Sequence, residues 1–125
     1  MIMILFISCS TKDNEKDIKR HKDLIHYKSP FLAELGDENY DKLSTKIKKD
    51  KINIDYFKDI IYVDYLTNVN ACGKYFGNIE ISNDTIFLIH FLDSDEICTS
   101  VGIENPTYII NNPEKKKFKI IRKND

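Results

Sequence analysis

The sequence predicts an α+β domain, mainly antiparallel: a β-meander of five or six strands preceded by a short helical N-terminal segment. Three observations carry this. The apolar residues change period near Ile60, from helix-like spacing to alternation. Beyond Ile60 the chain is rich in Ile, Val, Phe, Tyr and Thr, which suit a pleated, half-buried surface. Clusters of Asn, Asp, Ser and Pro then cut that region into short runs.

Taken in order, Ser29-Pro30 reads as a helix start, a cap followed by Pro at the first helical position, with Gly36 as the stop. Tyr40, Leu43 and Ile47 recur at helical spacing and predict a weakly amphipathic helix with a narrow apolar stripe. Ile18, Leu24 and Ile25 suit another short turn. The helical part, 29–59, is expected to dock on the sheet. The strands are expected at 60–66, 75–81, 85–92, 97–103, 107–110 and 117–122. Ser82-Asn83-Asp84-Thr85 has the makings of a tight hairpin, because Asn and Asp tolerate positive φ. Asp93-Ser94-Asp95-Glu96, Asn105-Pro106 and Asn111-Asn112-Pro113-Glu114 supply the other turns. Strands joined this tightly are expected to be antiparallel, with Cys98 in the fourth strand from the sequential hairpins and Cys72 just before the second.

The chain of 125 residues carries 19 Lys plus Arg against 20 Asp plus Glu. That balance gives no reason to invoke nucleic acid or a polyanionic substrate. Residues 1–8 are apolar up to Ser8, Cys9 follows, and the first charge is Lys12. A membrane span would need about 20 apolar residues. The box Phe6-Ile7-Ser8-Cys9 resembles the end of a bacterial lipoprotein signal peptide. The resemblance implies that residues 1–8 are a signal, that Cys9 carries the lipid and bilayer contact, that 9–28 is a flexible tether, and that 29–125 is a single globular domain. Ser10, in place of the Asp that favours inner-membrane retention, implies the outer membrane. Thr11-Lys12-Asp13-Asn14-Glu15 is similar to the Lys-plus-acidic tag that some Gram-negative lineages use for surface export. The competing reading of the same stretch is a buried first strand with Cys9 as a core thiol.

If Cys9 is lipidated, the remaining two of three cysteines, Cys72 and Cys98, are an even number in an oxidising compartment and are expected to form a disulfide. Zinc is the poorer reading, since neither cysteine has Cys-x-x-Cys spacing and His21, His26 and His90 show no ligand spacing with them. His90, alone in an apolar run, reads as a satisfied sheet histidine.

Three chemical motifs fall short. Asp93, Asp95 and Glu96 open like a calcium loop, but Ile97 and Cys98 stand where an oxygen ligand and Gly are needed. The basic tail, Lys115 to Lys117 with Lys119, Arg122 and Lys123, alternates so that Lys117, Lys119 and Ile121 share one face and Phe118, Ile120 and Arg122 the other. This suits an edge strand guarded by lysines, with an anionic partner surface as the alternative. The serines and histidines form no nucleophile elbow, and Gly73 and Gly77 bracket no phosphate loop. No catalytic residue, metal or cofactor is therefore expected. The expected function is a non-enzymatic protein-binding module, such as an inhibitor or immunity-type protein. The alternatives are a structural accessory subunit of an envelope complex and a small hydrolase. Asp93, Asp95 and Glu96 form the expected acidic knob of the binding surface, with Tyr75 and Phe76 as aromatic anchors.

Overall fold

The computed structural model describes residues 19–49 and 51–123. Cys9, residues 1–8 and the 11–15 tag lie outside the described residues. The described chain contains ten strands and one helix, in the order β1 (Leu24–Lys28), β2 (Phe31–Glu34), α1 (Tyr40–Ile47), β3 (Asn53–Phe57), β4 (Ile60–Asp64), β5 (Thr67–Asn70), β6 (Tyr75–Ser82), β7 (Thr85–Leu92), β8 (Val101–Glu104), β9 (Thr107–Asn111) and β10 (Lys119–Arg122).

These strands form three sheets. Sheet I has the order β1-β9-β4-β3, sheet II β10-β7-β6 and sheet III β2-β8-β5. The fold is thus a mostly antiparallel, β-sandwich-like structure, which overturns the expected α+β meander with a helical N-terminal half. Half of the described residues are strand, and only one helix remains. Just two pairings, β3 with β4 and β6 with β7, are hairpins between sequential strands. The others are long-range: β9 pairs with both β1 and β4, β8 with both β2 and β5, and β10 runs parallel to β7.

The physical reasons for the corrections are local. Ser29 does not cap a helix, because its hydroxyl donates to the Glu104 carboxylate 75 residues away. In β2 only Ala33 is buried, and a bulge between Phe31 and Ala33 interrupts its pairing with β8. Gly36 ends a strand, at φ +102°. Leu24 and Ile25 belong to β1, where a bulge lets Leu24 face Ile110 while His26 faces Ile109. Residues 24–28 are therefore part of the sheet, inside the stretch expected as tether. The helix expected from Tyr40, Leu43 and Ile47 is present as α1, and it lies against β5 and β8. Cys98 is not in a strand; it sits in the loop before β8.

The core forms between sheets I and II. Leu24, Ile61, Val63, Tyr108 and Ile110 of sheet I meet Ile79, Ile86, Leu88 and Ile120 of sheet II. Alternation places these residues on one face of each strand, so burying them fixes the register. β10 is an edge strand as the lysine pattern suggested, with Ile120 buried and Lys119 exposed. Sheet III contributes none of that cluster. Its own buried apolar residues are Ala33, Val69 and Ile103, and the Cys72–Cys98 disulfide links the segment after β5 to the loop before β8.

Candidate functional site

Where the three sheets meet, polar side chains from separate strands converge. His90 on β7 places Nε2 3.1 Å from Glu104 Oε1 on β8, and the Ser29 hydroxyl donates to the same oxygen at 2.6 Å. The His90 and Glu104 side chains are almost wholly buried. The Tyr75 ring stacks on His90 with centroids 4.7 Å apart. On the other side, Arg122 lies over the Tyr65 ring at 4.3 Å and donates through Nη2 to Thr67 Oγ1 at 2.9 Å. Tyr65 and Tyr108 bring their hydroxyls within 3.3 Å, and Tyr108 donates to the Ile89 carbonyl at 2.7 Å.

Burial pushes the Tyr108, Tyr65 and Tyr27 phenols above their ordinary pKa, so all three stay neutral. The Tyr27 hydroxyl is buried close to Ser29 without reaching hydrogen-bonding geometry. The Tyr27 ring lies on Gly77, where a Cβ would come within 2.0 Å of it. In this arrangement the carboxylate stands between hydroxyl and imidazole. Nucleophilic catalysis needs the hydroxyl bonded to the imidazole, so the cluster has the geometry of a polar brace and not that of a Ser-His relay.

At one end of sheet II, Phe76 pairs across the hairpin with Phe91, and Tyr75 with Leu92. Phe76 and Leu92 are more than 40% exposed, and the Phe76 and Phe91 rings lie 5.8 Å apart. Phe91 forms a shared wall between two grooves. One, of about 320 Å³, runs past Arg20, Tyr27 and Phe76. The other, of about 510 Å³, lies between β5 and the β7–β10 pair and is lined by Thr67, Asn68, His90, Leu92, Arg122 and Lys123 among others.

The sequence-expected residues gather at this end with different roles. Cys72 and Cys98 are joined in a disulfide with Cα atoms 5.6 Å apart. Asn70 organises it: its Oδ1 accepts from the backbone N–H of both cysteines, and its Nδ2 donates to the Cys98 carbonyl. Asp93 is half-buried and ties its N–H to the Lys74 carbonyl at 2.7 Å, which fixes the loop beside the start of β6. Asp95 and Glu96 are exposed and stand next to Ile97, 61% exposed. Phe76 faces solvent, while Tyr75 points inward, accepts from the Asn70 N–H and stacks on His90. Tyr75 therefore supports the site from within. His90 is the satisfied sheet histidine that its apolar surroundings suggested.

Sequence reading missed Phe91, Leu92, Asn68 and Arg122 as a group, because their strands meet only through long-range pairing. Among the described residues no three His, Cys, Asp or Glu are placed to hold a metal, and no helix is long and apolar enough to cross a membrane. Comparison with protein-family models, curated proteins and solved structures finds no match.

Proposed function

We propose that this chain is a lipid-anchored protein of the outer membrane whose domain is a non-enzymatic protein-binding module, of the kind that inhibits or neutralises a partner enzyme. The observation that carries the reading is the Phe76, Phe91 and Leu92 cluster: exposed or half-exposed apolar side chains on a rigid hairpin, flanked by grooves and braced by a disulfide. Aromatic anchors in a polar surround are the usual centres of binding energy at protein interfaces. The disulfide adds support for export, since such bonds persist in oxidising compartments. The anchor rests on Cys9 and its box.

The test has two parts. Cells fed an alkyne fatty acid should label the wild type and spare Cys9→Ser, which should become soluble. The released domain, used as bait on envelope extracts and competitor secretions, should lose its captured partner about tenfold or more on Phe76→Ala, the effect of removing an anchor worth about 2 kcal/mol. Equal labelling of Cys9→Ser removes the anchor. Capture indifferent to Phe76→Ala removes the site.

A structural accessory subunit is the second reading. It is favoured by the outer face of sheet I, where Phe57 and Tyr62 are exposed. Loss of capture on Phe57→Ser with no effect of Phe76→Ala would select it.

A further inference from the structure

We infer that the groove between β5 and the β7–β10 pair takes an extended acidic segment of a partner protein, which pairs with the outward N–H and C=O of Asn68 on β5 and sets its carboxylates against Arg122 and Lys123. The inference rests on the protein-binding reading and names the chemistry of the partner.

The first support is a strand edge. Among the described residues β5 pairs only with β8. Directions along it are fixed by two bonds: the Ala71 N–H goes to the Ser100 carbonyl, on the β8 side, whereas the Asn70 N–H goes the opposite way, to the Tyr75 hydroxyl. Backbone groups in a strand alternate with a period of two. The N–H and C=O of Asn68 therefore point the same way as those of Asn70, away from β8, and Asn68 lines the groove. The outward Asn70 N–H and C=O are engaged by the Tyr75 hydroxyl and the Gly73 N–H, so Asn68 is the β5 residue that presents its backbone to the groove, as an extended peptide needs in order to add itself to a sheet.

The second support is charge. Arg122 and Lys123 line the groove, and among the described residues no Asp or Glu does. Arg122 is held in place by the Tyr65 ring beneath it and by Thr67. A guanidinium fixed in this way loses little freedom on meeting a carboxylate. Lys123 bridges Glu80 at 2.9 Å with both side chains about half-exposed, and a solvent-exposed ion pair contributes little stability. The buried Glu104 carboxylate is engaged by Ser29 and His90.

The third support is shape. Phe91 and Leu92 give one wall an apolar surface, so a side chain next to the acidic residue has somewhere to lie. The volume of about 510 Å³ falls in the range of sites that enclose small ligands or a few side chains. A free anion or a polyanionic glycan would use the cations and leave the strand edge and the apolar wall unused.

The test uses the full chain carrying Cys9→Ser, with its disulfide intact. The probe is an acetylated, amidated hexapeptide alternating Val and Glu, followed by fluorescence anisotropy and by amide chemical shifts. Binding should weaken at least tenfold when Lys replaces Glu in the peptide, and at least tenfold with Lys123→Glu. Asn68→Pro removes one outward N–H and leaves the β8 ladder intact, because an edge strand tolerates Pro where its N–H faces solvent. That variant should also lose at least tenfold, and Asn68 and Leu92 amides should shift in the parent. Inorganic phosphate and heparin are the comparison probes. Equal binding of the Lys peptide, indifference to both variants, or binding of phosphate or heparin without the peptide overturns the inference. If the peptide fails to bind while Phe76→Ala still abolishes partner capture, this inference falls and the protein-binding reading stands. If neither occurs, both fall.

Discussion

The imidazole of His90 and the carboxylate of Glu104 lie 3.1 Å apart, and this buried contact joins sheet II to sheet III, which share no apolar core cluster. Burying polar groups is costly unless each finds a partner, so the pair stabilises the junction only while both members are present. Removing one partner leaves the other stranded. His90→Ala and Glu104→Ala should each lower stability by about 3 kcal/mol, the lower end for breaking a buried pair. His90→Phe combined with Glu104→Leu keeps the stack on Tyr75 and removes both polar groups, so it should cost less than either truncation. Urea denaturation of the three variants measures this. A double variant as unstable as the two singles added together would mean that the pair is not coupled.

Gly77 and Gly102 offer a controlled contrast. A Cβ on Gly77 would meet the Tyr27 ring at 2.0 to 2.4 Å, and that ring packs against the core and Tyr108. A Cβ on Gly102 would meet the Phe31 ring at 2.3 Å, but Phe31 is 46% exposed and free to turn outward. Gly77→Ala should therefore cost about 2 to 3 kcal/mol, as overpacking does, and Gly102→Ala less than about 1 kcal/mol. Tyr27→Leu should recover part of the Gly77→Ala loss. Melting temperatures of the four variants decide the matter, and equal losses at the two glycines would refute the argument from ring mobility.

Local signals in the sequence were good where the structure is local. The Asn83-Asp84 turn, the 85–92 strand and the α1 stripe are where the pattern places them, and Asn83 has the positive φ its type tolerates, at 55°. The β3–β4 hairpin was hidden because its two-residue turn is Lys58-Asp59, and Lys58 adopts φ 54° without any Gly or Asn to advertise it. Pairing was invisible for a different reason. Nothing near Ile60 indicates that β4 will lie beside β9 and not beside the next strand, since that choice is made by which apolar faces close the core. Asn112 shows how the chain then turns back: its side chain bonds both the N–H and the C=O of Lys116, and it releases β10 to run parallel to β7.

The candidate site was legible only in part. Phe76 could be picked out as a strand aromatic, but Tyr75 and Phe76 are consecutive in one strand, so a period of two allows only one of them to face a partner. The pairing that brings Phe91 against Phe76 follows from the hairpin at Asn83. Arg122 and Asn68 reach the same groove from β10 and β5, and no spacing in the chain encodes that meeting.

The disulfide should matter more than its size suggests. Cys72 and Cys98 are 26 residues apart, and loop-closure entropy for that length gives about 3.5 kcal/mol. It also holds the loop after β7 against the turn before β6, next to the Phe76 cluster. Cys98→Ser should lower the melting temperature by about 10 °C or more for a domain of this size. Both thiols should resist alkylation until a reductant is added. Free titration of both in the folded protein would show that no bridge forms.

Alkaline pH should be where this protein fails. Tyr27, Tyr65 and Tyr108 all have pKa values raised by burial above the ordinary tyrosine value near 10, and none is raised mainly by a charged neighbour. In the unfolded chain they would ionise at about pH 10, while in the folded chain they hold their protons. Folding stability from these groups is therefore fully present below pH 10 and is lost as pH rises above it, because the unfolded state then binds fewer protons than the native state. Tyr108 is the most strongly held, and its hydroxyl also bonds the Ile89 carbonyl across the core. The melting temperature should stay level up to about pH 9.5 and then fall steeply, with proton release accompanying unfolding. Tyr65→Phe removes one of the three ionising groups and should make the fall shallower. A profile that stays level to pH 12, or phenolate absorbance that develops in the folded protein before unfolding, would contradict the burial of these hydroxyls.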